Sequence, residues 1–128
     1  MTEPDKIHGR RIHPAASVFP LMEGPAFQRL VDSIAVMGVQ NPIVCYGHVV
    51  IDGRNRLRAV EKLLNEGVEV KLPAVEWDGT KTKMSVTEWI EAQNLDRRHL
   101  SAEAFATAAA ALSRIMRKEA QERQAAGL

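Results

Sequence analysis

The chain is short of cysteine, of aromatic residues and of net charge, and each shortage excludes something. It has one cysteine in 128 residues. Cys45 cannot form an internal disulfide, which suits a reducing compartment, most simply the cytoplasm. No apolar run approaches the roughly 18 residues that a membrane-crossing helix needs. The stretch Met1 to Arg11 mixes acidic and basic residues and lacks the apolar centre of a secretory signal. Seventeen basic residues against sixteen acidic leave a net charge of +1. A protein that binds nucleic acid through bulk charge is more basic than that, so any such function must come from where the charges sit. His8, His13, His48 and His99 show no metal-ligand spacing, and one cysteine adds little, which argues against structural zinc. Asp52, Asp78 and Asp96 are too scattered to argue a paired-carboxylate hydrolase, and nothing fixes a Ser–His–Asp arrangement.

What is present is ordinary globular composition, 45% hydrophobic and 26% charged, in a length that fits one domain. Residues 1–10 read as a flexible tail, polar and without periodicity. A short extended element is expected within Arg11 to Phe19, limited by Pro14 and Pro20. Pro25 suits the first turn of a helix. Phe27, Leu30, Val31, Ile34 and Ala35 follow at helical spacing, and Gly38 stops the helix. Two β-branched runs, Pro42 to Cys45 and Val49 to Ile51, flank Tyr46-Gly47-His48 and read as a hairpin. Asp52 is then placed to cap a helix whose buried face is Leu57, Val60, Leu63 and Leu64, closed by Gly67. Leu72 to Trp77 reads as a strand. Ser85 and Glu88 form a capping-box pair that opens a helix running to about Leu95. Ser101 starts the last helix, with Phe105, Ala108, Leu112, Ile115 and Met116 on one face. Beyond Met116 the sequence turns charged, so that helix is expected to leave the core. Trp77 and Trp89 fall on apolar faces and read as core rather than as base-stacking platforms.

The segment with chemistry is Asp52-Gly53-Arg54-Asn55-Arg56-Leu57-Arg58, where strand runs directly into helix. A helix start offers unpaired N–H groups and the positive end of the macrodipole, which together favour an anion. Gly53 allows close approach to the backbone. Arg54, Asn55 and Arg56 add donors, and guanidinium groups grip phosphate oxygens bidentately. On residue types alone, a solvated arginine face behind an Asp cap accounts equally well for the segment.

Three blocks in order resemble the signatures of the ParB/sulfiredoxin superfamily, in its ParB branch. They are Gly38 to Val44, Ile51 to Ala59 and Gln93 to Ser101, set against the family forms G-L-x-Q-P-I-x-V, G-E-R-R-x-R-A and E-N-x-x-R-x-x-L. The resemblance covers roughly residues 11 to 110. It implies an α+β fold: a small mixed sheet packed with helices, followed by a helical C-terminal arm. It further implies an N-terminal nucleotide-binding domain over 11–100. Residues 101–128 would be a C-terminal helix leading to an absent helix-turn-helix DNA-binding domain, the apolar face of that helix being short of partners.

By the same resemblance the domain binds CTP or another nucleoside triphosphate with magnesium, with the phosphates against the start of the second block. Matched residue by residue, Gly53, Arg56 and Arg58 agree with the second block and Asn94 and Arg97 with the third, while Gln40 is displaced by one residue from the polar position of the first. With Arg54 and Asn55 these are the expected nucleotide and phosphate contacts, and Gln93 and Asn94 lie near the metal. The sequence departs from the family at Arg54 and Asn55, which replace Glu-Arg, and at Gln93, which replaces Glu. A neutral amide gives magnesium no charge, so binding is expected to survive better than turnover. The sulfiredoxin branch needs a cysteine where Asn55 stands, and Cys45 reads as a buried structural thiol.

The expected protein is therefore a partition or regulatory protein of chromosome segregation, plasmid maintenance or transcription. It would be cytoplasmic, encoded by a bacterium, plasmid or phage, homodimeric, free of membrane and linked to DNA through the absent domain. The expected mechanism is a nucleotide-gated clamp. The competing expectations are a protein-interaction scaffold of the same fold and, third, a slow magnesium-dependent NTPase or a nuclease.

Overall fold

The computed structural model describes residues 6–95 and 101–127, with the side chain of Leu95 left aside. In chain order the elements are β1 (Lys6–Ile7), β2 (Arg10–Ile12), α1 (Pro14–Ser17), α2 (Gly24–Met37), β3 (Ile43–Tyr46), β4 (Val49–Asp52), α3 (Arg54–Asn65) and β5 (Ala74–Glu76). A single 3-10 turn at Gly79–Lys81 precedes α4 (Val86–Leu95) and α5 (Ala102–Ala125). The described residues divide into two compact units, one of residues 6–13 with 21–78, the other of residues 14–20 with those from 79 onward. The expected boundary between residues 100 and 101 is not where the contacts divide.

The first unit holds a five-stranded mixed sheet in the order β1-β2-β4-β3-β5, as the α+β expectation requires. The β3–β4 hairpin forms as its β-branched runs predict, turning at Gly47 with φ of 63°. β2 pairs parallel with β4, and β5 parallel with β3. Helices α2 and α3 pack through Val31, Ile34, Ala59, Val60 and Leu63, with Phe27, Leu30, Val39, Val70 and Leu72 closing the cluster. Both expected helix stops hold. Gly38 donates its N–H to Ile34 at 2.8 Å, and Gly67, with φ of 82°, lets Val68 reach back to Leu63 at 2.9 Å.

Several expectations need correcting. The tail assigned to residues 1–10 is not a tail from Lys6 onward, because Lys6–Ile7 and Arg10–Ile12 form a hairpin that extends the sheet. The extended run expected from Arg11 to Phe19 stops at Ile12. Pro14 begins a short helix instead, its fixed φ suiting a first helical turn, and Ala15 and Ala16 are buried in it. The strand within Leu72 to Trp77 is only Ala74–Glu76 and lies exposed. Leu64, expected in the core, is 39% exposed, and Ala35 is exposed as well.

In the second unit α1, α4 and α5 pack together. The capping box at α4 is present in full: the Ser85 hydroxyl accepts from the Glu88 N–H, and the Glu88 carboxylate accepts from the Ser85 N–H, each at 3.2 Å. Ser101 caps α5 through the Ala104 N–H at 3.1 Å. Ala108 and Leu112 are buried, but Phe105 is 46% exposed, so it is not part of the buried face expected for it. Nor does α5 lose touch with its unit after Met116. The Thr87 hydroxyl, wholly buried, donates to the Glu119 carboxylate at 2.9 Å. Thr87→Val should therefore lower the unfolding free energy by about 1–3 kcal/mol, since it strands one end of a charge-assisted bond. Urea denaturation measures this, and a change near zero would show that the bond contributes nothing.

Candidate functional site

The turn from β4 into α3 is tight because of Gly53. This residue is the N-cap of α3, with φ of 110° and ψ of 23°, and as a glycine it offers no side-chain cap of its own. The Asp52 carboxylate accepts from Arg56 Nη2 at 2.9 Å, an ion pair whose Asp52 and Arg56 side chains are 14% and 17% exposed. The reason is geometric. Asp52 ends the strand with its backbone paired to Val44, and the first helical turn brings Arg56 beneath it at i+4. Gly53 leaves no room for a ligand over its α-carbon. An added Cβ would lie 2.6 Å from Ile43 Cγ2 and 3.1 Å from Arg56 Nη2, so the β3 side chain fills that space.

The arginines expected to hold phosphate are engaged within the fold. Arg56 Nη1 donates to the Asn41 carbonyl at 2.9 Å and to the Pro42 carbonyl at 3.2 Å. One guanidinium thus ties the α3 start to the chain entering β3. Arg58 Nη1 donates to the Met22 carbonyl at 2.8 Å and to Asn55 Oδ1 at 3.0 Å, and its guanidinium sits 4.2 Å from the Phe27 ring centroid. Asn55 Oδ1 also accepts the Met22 N–H at 3.0 Å, which tethers the approach to α2. Arg54 opens the helix and is half-buried.

The structure therefore brings Gly53, Arg54, Asn55, Arg56 and Arg58 together within one unit, at a helix start whose macrodipole is positive. Gln40 belongs to the same unit, exposed, with its side-chain amide donating to the Met37 carbonyl at 2.6 Å. Gln93 and Asn94 lie on α4 in the other unit, where Asn94 Nδ2 donates to the Ile90 carbonyl at 2.8 Å within its own helix. Arg97, with Arg98 and His99, lies outside the described residues. Among the described residues no cluster of three His, Cys, Asp or Glu could hold a metal.

The residues that sequence reasoning missed are the carbonyl partners: Met22, Asn41 and Pro42. No local signal marks a carbonyl as an arginine's acceptor across that much chain. Cys45 is buried as expected, and burial pushes its thiol above the usual value, partly offset by the guanidinium of Arg10. Trp77 is half-buried and meets Tyr46 edge-on at 5.5 Å.

No family model matches the sequence, and no curated protein matches it significantly. A solved structure of a Pnob8-like ParB-N domain matches with a TM-score of 0.56 and 24% identity, over 87% of this chain and 44% of that one. The fold is thus that of a ParB-like N-terminal domain, and the chain spans less than half the length of the structure it matches. Among the described residues no helix is long and apolar enough to cross a membrane.

Proposed function

We propose that this chain is the nucleotide-binding N-terminal part of a ParB-like partition or regulatory protein. The carrying observation is the start of α3, where Gly53 is the N-cap and Arg54, Arg56 and Arg58 lie in the first helical turn and just past it. The N–H groups of a helix start, the helix dipole and guanidinium charge together favour a phosphate chain. The ParB-like fold supports CTP or another nucleoside triphosphate as the class of ligand. Magnesium would ride on the phosphates, with Gln93, Asn94 and Arg97 as candidate partners. Action on DNA through another segment, and a homodimer closing on nucleotide, belong to the same reading. Such gating needs different nucleotide affinity in two states.

A second reading rests on a specific observation: Arg56 and Arg58 are bonded to main-chain carbonyls. That favours an architectural motif in a protein-interaction module. Calorimetric titration of CTP, ATP and GTP with magnesium separates the two. One nucleotide should bind, and Arg54→Ala should weaken it about 10- to 100-fold, the worth of one charge-assisted contact, with the melting temperature measured alongside. Absence of binding by all three would leave the scaffold reading. Phosphate release should stay flat, since the usual carboxylate is replaced by Gln93.

A further inference from the structure

β5 forms an edge of the sheet among the described residues, and its Ala74, Val75 and Glu76 are all exposed. The bonds to β3 fix which way each residue's main chain points. Ile43 donates its N–H to the Pro73 carbonyl at 3.0 Å, and Trp77 donates its N–H to the Cys45 carbonyl at 2.8 Å. Bonding groups alternate in direction along a strand. Pro73, Val75 and Trp77 therefore face β3, whereas the N–H and C=O of Ala74 and Glu76 point away from the sheet.

Edges are ordinarily blunted by proline at an outer position, by lysine or by a bulge. Pro73 is at an inner position, so its missing N–H leaves the outer edge intact. The one charge on the strand, Glu76, has its carboxylate bonded to the Gly47 N–H at 2.6 Å. Val75 shares a face with Val44, its partner on β3, and with Tyr46, which Trp77 meets edge-on. Val75 is 48% and Tyr46 50% exposed, so this face is apolar where it reaches the edge.

We propose that β5 pairs antiparallel with β5 of a second copy, about a twofold axis beside Val75, joining two sheets edge to edge. A twofold contact must be self-complementary, which limits the registers. Centring on Glu76 sets two carboxylates against each other. Centring on Ala74 carries the outer bonds to Leu72, before the strand begins. Centring on Val75 pairs Ala74 with the partner's Glu76 and Glu76 with the partner's Ala74, so each outer N–H of the strand meets a carbonyl. It also sets Val75 against the partner's Val75 and Trp77 against the partner's Pro73, apolar on apolar. This match within one sequence favours a second copy over an unrelated strand. A three-residue edge covers far less than the roughly 1,200 Å² of a stable interface, so the pairing is weak and depends on concentration. It is independent of nucleotide at the α3 start.

Sedimentation velocity of the whole chain without nucleotide, over a concentration series, reads the association. The weight-average sedimentation coefficient should rise with concentration in the parent. Ala74→Pro removes an outer N–H and no bond to β3, and should weaken association at least about tenfold, because an interchain bond is lost at each end. Val75→Lys and Val75→Glu, at an exposed position, should each weaken it severalfold, and an equimolar mixture of the two should associate more tightly than either alone. Val75→Cys tests the register. Facing residues at a non-hydrogen-bonded position lie about 4.5 Å apart between α-carbons, within disulfide reach, so mild oxidation should cross-link this variant. Ala74→Cys faces the partner's Glu76 and should cross-link far less, Cys45 being buried. Association unchanged by Ala74→Pro, a mixture no tighter than its components, or equal cross-linking at both positions overturns the proposal. A parent that stays monomeric overturns it too and leaves the edge to a strand of another protein. Association that appears only with CTP assigns the dimer to the α3 site and overturns pairing at β5. Calorimetric titration of Ala74→Pro with CTP reads the α3 site separately.

Discussion

Gly53→Ala is expected to cost about 2–4 kcal/mol of unfolding free energy, among the largest effects available at any glycine here. Two penalties combine. A non-glycine residue in the left-handed region loses about 1–2 kcal/mol, and Gly53 sits at φ of 110°. The new methyl would also lie 2.6 Å from Ile43 Cγ2 and 3.0 Å from Ile43 Cβ, and Ile43 is wholly buried on a paired strand, with little freedom to yield. Overpacking of this kind costs about 1–3 kcal/mol. Gly47→Ala supplies the comparison. Its φ is 63° and nothing lies within 4 Å of an added Cβ, so only the conformational penalty of about 1 kcal/mol should appear. A cycle with Ile43→Ala isolates the clash, and the two substitutions should couple by about 1 kcal/mol, the double variant being less damaged than the sum. Equal losses for Gly53→Ala and Gly47→Ala in urea denaturation would show that the close approach to Ile43 has no energetic weight.

This changes what Gly53 says about the sequence. A glycine before arginines at a helix start invites the reading that a ligand needs the space, yet here a neighbouring strand occupies it. The distinction depends on Ile43, ten residues earlier, and on a hairpin register that no local pattern fixes. What was legible came from local physics. Pro25 and Gly38 bracket α2, β-branched runs make β3 and β4, and Ser85 with Glu88 closes a capping box within four residues. What was not legible came from long-range pairing. β2 has a single buried residue, Ile12, among exposed arginines, and it is a strand because β4 pairs with it. Alone, that composition looks like a polar tail. Arg58 likewise reaches the Met22 carbonyl, 36 residues away, so a phosphate ligand and a structural tie look the same in one dimension. The α3 start was found because strand, glycine and arginines are contiguous; the acceptors of those arginines were not.

Arg56→Ala should be the second severe change, at about 2–4 kcal/mol, and its dependence on the replacement is more informative than its size. The side chain holds Asp52, Asn41 and Pro42 at once, through one nitrogen at 2.9 Å to the carboxylate and another at 2.9 and 3.2 Å to two carbonyls. Exposed ion pairs are worth about 0–1 kcal/mol, whereas removing one partner of a buried pair costs about 3–5. With side chains only 14–17% exposed, this pair lies nearer the second case, and its loss also strands two acceptors. Lysine keeps the charge but has no fork, so Arg56→Lys should recover less than half of the lost stability in urea denaturation. Asp52→Asn should cost less than Arg56→Ala, because the two carbonyl bonds survive it. Full recovery by lysine would mean that the charge alone matters, and the clamp geometry would then carry no weight. The same numbers decide how nucleotide titrations are read. If Arg56→Ala both destabilises the fold and abolishes binding, the loss of binding cannot be assigned to a phosphate contact, because the helix start has lost its anchor to β3. If Arg54→Ala weakens binding while the melting temperature holds, the contact is with the ligand. The two arginines, two residues apart and so on different sides of the helix, are therefore tested separately, each by binding and melting temperature together.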